Sequence, residues 1–175
     1  MKLLFIPIFD YLRTRKRIAV RLLLTAIPAL LILAYGLFFN VRQGIDISSV
    51  FSNFVNVQIS ASAILISFSI AVMTILVSAD NTNIVRLKNT DNTSDKIKPL
   101  DGKPLSLYQV LLSNITYNVL VEIAYLIILI AFVFLQMILP VCGIKYLTAI
   151  CVFFIAHILH ILIESVAQMY LTFWK

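Results

Sequence analysis

Residues 57–79 read VQISASAILISFSIAVMTILVSA and carry no ionisable side chain. A helix of this length rises about 35 Å at 1.5 Å per residue, which exceeds the roughly 30 Å of a bilayer's hydrocarbon core. The stretch therefore predicts a transmembrane helix.

Small and hydroxyl-bearing residues recur along this stretch at steps of three or four, which places them on one helical face. They are Ser60, Ala63, Ser67, Ala71, Thr74 and Ser78. Lipid does not select such a face, whereas a neighbouring helix does, because small side chains let two backbones approach closely. We therefore expect an inner, packed helix. The alternative is a pore lined by these hydroxyls in an assembly of several copies.

The composition extends the membrane prediction to the whole chain. Of its 175 residues, 61% are hydrophobic and only 13% are charged, whereas soluble domains average about half and a quarter. The sequence predicts an all-α, polytopic membrane protein with four transmembrane helices in one domain. The expected segments are a basic interfacial segment at 1–21, crossings at 22–39 and 57–79, a polar loop at 80–104, a long helix at 105–141 that contains the third crossing, a fourth crossing at 145–164 and a tail at 165–175.

Two further segments are expected at the membrane interface. The N-terminal segment places apolar residues up to Leu12 before a run of cations, which is typical of an amphipathic helix lying on anionic headgroups. Residues 45–56 alternate irregularly, and we expect a re-entrant or interfacial piece there.

The distribution of Lys and Arg predicts the orientation. The N-terminal segment holds six of them, the 80–104 loop five, the tail one, and the two remaining loops one each, Arg42 and Lys145. By the positive-inside rule, both termini and the 80–104 loop are expected on the cytoplasmic side of the membrane.

The polar loop and the beginning of the third helix form the candidate docking surface. Its residues are Arg86, Lys88, Lys96, Lys98, Lys103, Asn114 and Asn118. One interpretation is a solvated connector without structure of its own, and the other is a surface for a soluble protein partner. We expect no direct contact with nucleic acid.

Glu122, His157, His160 and Glu164 form a candidate polar cluster within the membrane, because their positions in two antiparallel crossings are at similar depth. Ionisable groups at that depth face protein or water rather than lipid. Three interpretations stay open: a hydrogen-bonded cluster that fixes helix register, a proton- or ion-sensitive switch, and a metal site.

No catalytic motif occurs in the chain. GxSxG, HExxH and phosphate-binding loops are all missing from the sequence, so we expect neither an enzyme nor a cofactor. Cys142 and Cys151 lack metal-ligand spacing. They are expected to be packing residues, with a disulfide as the lesser alternative.

Two segments carry a resemblance to a known group of proteins: FSIAVMTILVSADN at 68–81 and LSLYQVLLSNITYNVLVE at 105–122. With four crossings, a basic N-terminus and a polar loop, the chain resembles small inner-membrane subunits of bacterial anti-phage systems, the Kiwa membrane component among them. The resemblance implies an oligomeric membrane sensor that responds to envelope disturbance by phage and works with a cytoplasmic DNA-binding partner.

These observations favour a sensor or scaffold subunit that forms a homo-oligomer and recruits a cytoplasmic protein. Two alternatives are an oligomeric channel lined by the face around Ser67, and a small ion-coupled carrier built on Glu122 and His160.

Overall fold

The computed structural model describes residues 2–38, 46–78, 82–91, 97–99 and 103–174. This part of the chain is helical apart from turns and two isolated β-bridges. The helices are α1 (Lys2–Thr14), α2 (Ile18–Phe38), α3 (Ile47–Ser78), α4 (Thr82–Asn89), α5 (Leu107–Leu135) and α6 (Val141–Trp174).

Four of these helices, α2, α3, α5 and α6, are long and apolar enough to cross a membrane. The prediction of an all-α, polytopic membrane protein is confirmed. Contacts at both ends show that these helices alternate in direction. Arg21 near the start of α2 meets Glu164 late in α6, and Gly36 near the end of α2 lies beside Lys145 early in α6. Leu76 late in α3 packs with Leu111 early in α5, and Phe51 early in α3 packs with Phe132 late in α5.

One end of the bundle collects α1, α4 and the beginnings of α2 and α5, and we call it the basic end. A backbone bond from the amide of Lys98 to the carbonyl of Thr14, 2.8 Å long, joins the polar segment to α1 there. The other end carries the turn between α5 and α6.

The lead-in at 45–56 differs from its prediction. From Ile47 onward it is not a separate re-entrant piece but the first part of the continuous helix α3. No Gly, Pro or charge interrupts residues 47–78, and Phe51 and Val55 pack into the core with Leu129. Residues 39–45, with the expected turn at Arg42, lie outside the described residues.

The polar loop also differs from its prediction, because residues 82–89 form α4. Ile84 and Leu87 of this short helix pack on Leu76, Leu111 and Ile115. These three apolar neighbours give the segment a buried side, so it is more than a solvated connector.

Both ends of α5 differ from the predicted bounds of 105 and 141, for local chemical reasons. The capping box of Ser106 and Gln109 satisfies amides at the start of α5, which begins at Leu107. At its other end α5 stops at Leu135 rather than at 141, and α6 begins after Pro140. Since α6 then continues to Trp174, it takes in most of the expected tail.

Candidate functional site

The interior of the half nearest the basic end contains a group of buried polar side chains beside its apolar ones, and Arg15 is the buried cation of that group. Arg15 is 2% exposed. Its guanidinium donates to the side-chain oxygen of Asn114 and, at 3.4 Å, to the carbonyl of Val110. It also lies 5.1 Å from the ring of Tyr11. Burial lowers the pKa of Arg15, but a guanidinium starts so high that it stays charged at neutral pH.

Tyr11 carries the second contact between α1 and the bundle. Its ring stacks on Tyr117 with 3.9 Å between the centroids, and burial raises the pKa of the Tyr11 hydroxyl. Arg15 and Tyr11 therefore fix the N-terminal segment on α5. The sequence predicts both residues on an interfacial helix, and only the spacing of Tyr11 and Arg15, one helical turn, indicates a shared buried side.

Glu122 is fully buried between α3 and α5. Its Oε1 accepts from the Ser69 hydroxyl at 3.2 Å and from the Asn118 amide at 2.6 Å. Its Oε2 and the side-chain oxygen of Asn118 have no hydrogen-bond partner. Among the described residues no cationic side chain pairs with this carboxylate. The donors from two helices tie the register of α3 to that of α5.

His157 occupies a separate site on α6. Its Nε2 lies 3.1 Å from the Tyr117 hydroxyl, and its ring stacks on Phe153 at 6.0 Å between centroids. This histidine therefore links α6 to the same stretch of α5 that holds Asn118.

Arg21 and Glu164 form an ion pair where α2 meets α6. Two nitrogens of the guanidinium donate to the two carboxylate oxygens at 2.6 and 2.9 Å. Beside this pair opens a cavity of about 750 Å³. It is lined by Lys16, Arg17, Val20, Arg21, His160, Ile163, Glu164 and Ala167.

The structure thus distributes the four residues of the candidate polar cluster over three sites. Glu122 bonds Ser69 and Asn118, His157 bonds Tyr117, and His160 and Glu164 line the cavity. Although the four residues lie at similar depth, they do not form one cluster, because their side chains face different neighbours. The part of the chain that the structure describes holds no group of three His, Cys, Asp or Glu side chains placed to hold a metal ion.

The small face of α3 is turned away from the chain's own core. Ser60, Ala63, Ser67, Ala71, Thr74 and Ser78 are all exposed. This corrects the expectation that they pack inside one chain. The hydroxyls of Ser67 and Thr74 donate to the carbonyls four residues earlier, at 2.9 Å each.

The buried side of α3 is instead marked by residues seven apart: Val55, Ser62, Ser69 and Leu76. That spacing is visible in the sequence and could have predicted the buried side of α3, since a seven-residue repeat keeps one side of a helix against its neighbour.

The candidate docking surface is divided by the structure. Arg86, Lys88, Lys98 and Lys103 are exposed at the basic end, and Lys96 lies outside the described residues. Asn114 and Asn118 are buried and bond Arg15, Gln168 and Glu122. They are therefore not available to a docking protein, because their amides are used within the bundle.

The two cysteines are both free thiols, with Cys142 exposed and Cys151 buried in the core.

Comparisons of the chain with protein-family models, with curated proteins and with solved structures find no match. Its function is therefore inferred from the geometry of its own residues and from the sequence resemblance.

Proposed function

We propose that this protein is an integral-membrane scaffold subunit that assembles with copies of itself through the small face of α3. The observation that carries the proposal is that these six residues lie on the outside of a helix that can span the membrane. Small side chains there allow close approach of a second helix, and dispersion contacts between the two backbones stabilise the pair.

The hydroxyls on this face are compatible with such an interface. Ser60, Ser67 and Thr74 each donate to a carbonyl of α3 itself, so these three hydroxyl hydrogens keep their partners when lipid is replaced by protein. Because these hydroxyls already have partners, shape complementarity rather than new hydrogen bonds should decide which helix packs on this face.

The basic end supplies the second half of the proposal, a surface for a soluble partner. Arg86, Lys88, Lys98 and Lys103 are exposed there, and α4 holds the first two in place through its buried Ile84 and Leu87. A soluble protein with an acidic surface is the partner that complements these charges. The positive-inside rule supports a cytoplasmic location for this end. The resemblance to anti-phage subunits supports a bacterial inner membrane.

The resemblance to membrane subunits of anti-phage systems supports a role for the assembly in defence. In this role, oligomers in the inner membrane respond to disturbance of the envelope and pass the signal to the soluble partner.

The assembly is tested by adding bulk to the small face. We expect the double variant Ala63→Leu, Ala71→Leu to lose the oligomer in crosslinking of native membranes and in light scattering of the purified protein. The matched control is Ala124→Leu, Ala131→Leu, which adds the same atoms to exposed positions of α5. An oligomer that survives in the first variant, or a wild-type chain that is monomeric in membranes, contradicts the proposal.

The same variants test the defence role. In cells carrying this chain with its neighbouring genes, the small-face variant should lose protection against phage in plating assays while the α5 control keeps it. Protection that is independent of the chain contradicts this role, whatever the oligomeric state.

An oligomeric channel is the second candidate, and the outward hydroxyls of α3 favour it because hydroxyls can wet a narrow pore. Ion flux from liposomes separates the two. Ion flux that Ser67→Leu blocks would identify a channel. Liposomes that stay impermeable to ions although the protein is assembled would identify a scaffold.

A further inference from the structure

We propose that the cavity between α2 and α6 at the basic end binds the phosphate headgroup of an anionic phospholipid. Its volume of about 750 Å³ is ample for a headgroup, and its walls combine cations with apolar side chains. This proposal is independent of the oligomer and of the soluble partner.

The cavity lies at the depth where lipid headgroups are found. Lys16 and Arg17 directly precede Ile18, the first residue of a helix that can span the membrane. On the other wall, Glu164 and Ala167 belong to the last turns of the span that ends at Tyr170. Cations at the end of a spanning helix meet the phosphate layer of the bilayer.

The charges of the lining favour an anion. Lys16, Arg17 and Arg21 are cationic, and Glu164 is the single carboxylate among the lining residues. Glu164 is already held by Arg21 through two hydrogen bonds. The charges of Lys16 and Arg17 therefore remain for a ligand, with the half-buried His160 as a further polar group on the wall.

The backbone at the corner between α1 and α2 presents these cations. Arg17 has a φ of 57°, a left-handed backbone conformation that residues other than glycine seldom adopt. Arg15, two residues earlier, is buried against α5, whereas Lys16 and Arg17 are exposed. Glycine would make the turn with less strain, and arginine in its place adds a charge to the cavity wall.

The phosphate group is shared by lipids and by soluble phosphate compounds, and the apolar wall favours the lipid. Val20 and Ile163 line the cavity and are largely exposed. They continue the outer surfaces of two spanning helices, along which an acyl chain can lie while its phosphate meets Lys16 and Arg17.

The test uses the full chain in detergent micelles, titrated with phosphatidylglycerol or phosphatidylcholine, with bound lipid counted by native mass spectrometry. We expect saturable binding of phosphatidylglycerol. The variant Lys16→Gln, Arg17→Gln should bind it about thirty-fold more weakly, since each cation near a membrane surface contributes about 1 kcal/mol. The control Lys98→Gln, Lys103→Gln removes the same charge from exposed positions at the same end, outside the cavity, and should bind as the wild type does.

A second variant fills the cavity without changing its charge. Ala167→Phe places a ring on the lining and should also weaken binding, whereas Val166→Phe, on the neighbouring exposed position, should not. This pair keeps the test decisive if the double charge variant fails to fold.

Three results would overturn the proposal. Equal weakening by both charge variants would mean general attraction of lipid to a basic surface. If phosphatidylcholine binds as tightly as phosphatidylglycerol, the net charge of the lipid does not determine binding. Displacement of phosphatidylglycerol by inorganic phosphate, or stabilisation by phosphate alone, would assign the cavity to a soluble phosphate ligand.

Discussion

The two halves of α5 solve the same packing problem with different chemistry. Toward the basic end, Asn114, Asn118 and Glu122 make hydrogen bonds to other side chains. Toward the other end, Leu129 and Phe132 pack in an apolar cluster with Phe51 and Ile144. One helix therefore joins a half of the bundle whose core includes hydrogen-bonded polar side chains, which we call the polar half, to a half whose core is apolar.

The difference shows what holds a membrane bundle together. Moving an apolar side chain from lipid to protein gains little hydrophobic free energy, because both surroundings are apolar. The apolar half is stabilised by close packing, which can be achieved in more than one register of the helices. Hydrogen bonds in the polar half are directional, so Glu122 with Ser69 and Asn114 with Arg15 admit a single register.

The largest expected effect is that of Asn114→Leu in the polar half. It removes the side-chain oxygen that accepts from Arg15, and it removes a donor to Gln168 at 3.0 Å. A buried guanidinium then loses an acceptor, which should lower the free energy of unfolding by about 3 kcal/mol. Unfolding in mixed micelles of increasing SDS content measures this, with the exposed Asn53→Leu as control. If both variants unfold alike, Arg15 does not depend on Asn114.

The apolar half should respond less to its own truncation. Leu129→Ala deletes a fully buried side chain, and the cavity that it leaves should cost about 2 kcal/mol. The transfer free energy that normally adds to the cost of such a truncation is small here, because the core and the surrounding lipid or detergent are both apolar. The control Ile127→Ala lies on the exposed side of the same helix and should change nothing. A loss larger than that of Asn114→Leu in the same unfolding assay would reverse the comparison.

The smallest effect is expected from two serines of α3. Ser69→Ala removes one donor to the Glu122 carboxylate and should cost about 1 kcal/mol. Ser67→Ala removes a hydroxyl that bonds only its own helix, so its stability should stay that of the wild type. Equal stability of both variants would mean that the Ser69 contact does not fix the register.

The number of spans followed from the sequence, but which side of a span is buried did not. Long apolar runs identify α2, α3, α5 and α6, because in a bilayer the backbone has to satisfy its own hydrogen bonds within each helix. The small face of α3 was expected inside because small residues mark close helix contacts. Within one chain that contact side is taken by Val55, Ser62, Ser69 and Leu76 instead.

The candidate site shows the same division. Sequence identified Glu122, His157, His160 and Glu164 as costly residues for a membrane, since polarity at a given depth is a property of the chain. Their partners could not be read from depth, because helix rotation selects which of several polar side chains meet. Ser69, Tyr117 and Arg21 became partners only when the helices were packed.

By itself, the sequence determined that this chain is a helical membrane protein, that four of its segments can cross the bilayer and that its cations gather at a few places. Tertiary structure alone decided that Arg15 is buried while Lys16 and Arg17 face a cavity, and that the small face of α3 is left outside. The physical reason is that hydropathy acts along each segment separately, whereas hydrogen bonds and close packing depend on the rotation of every helix against its neighbours.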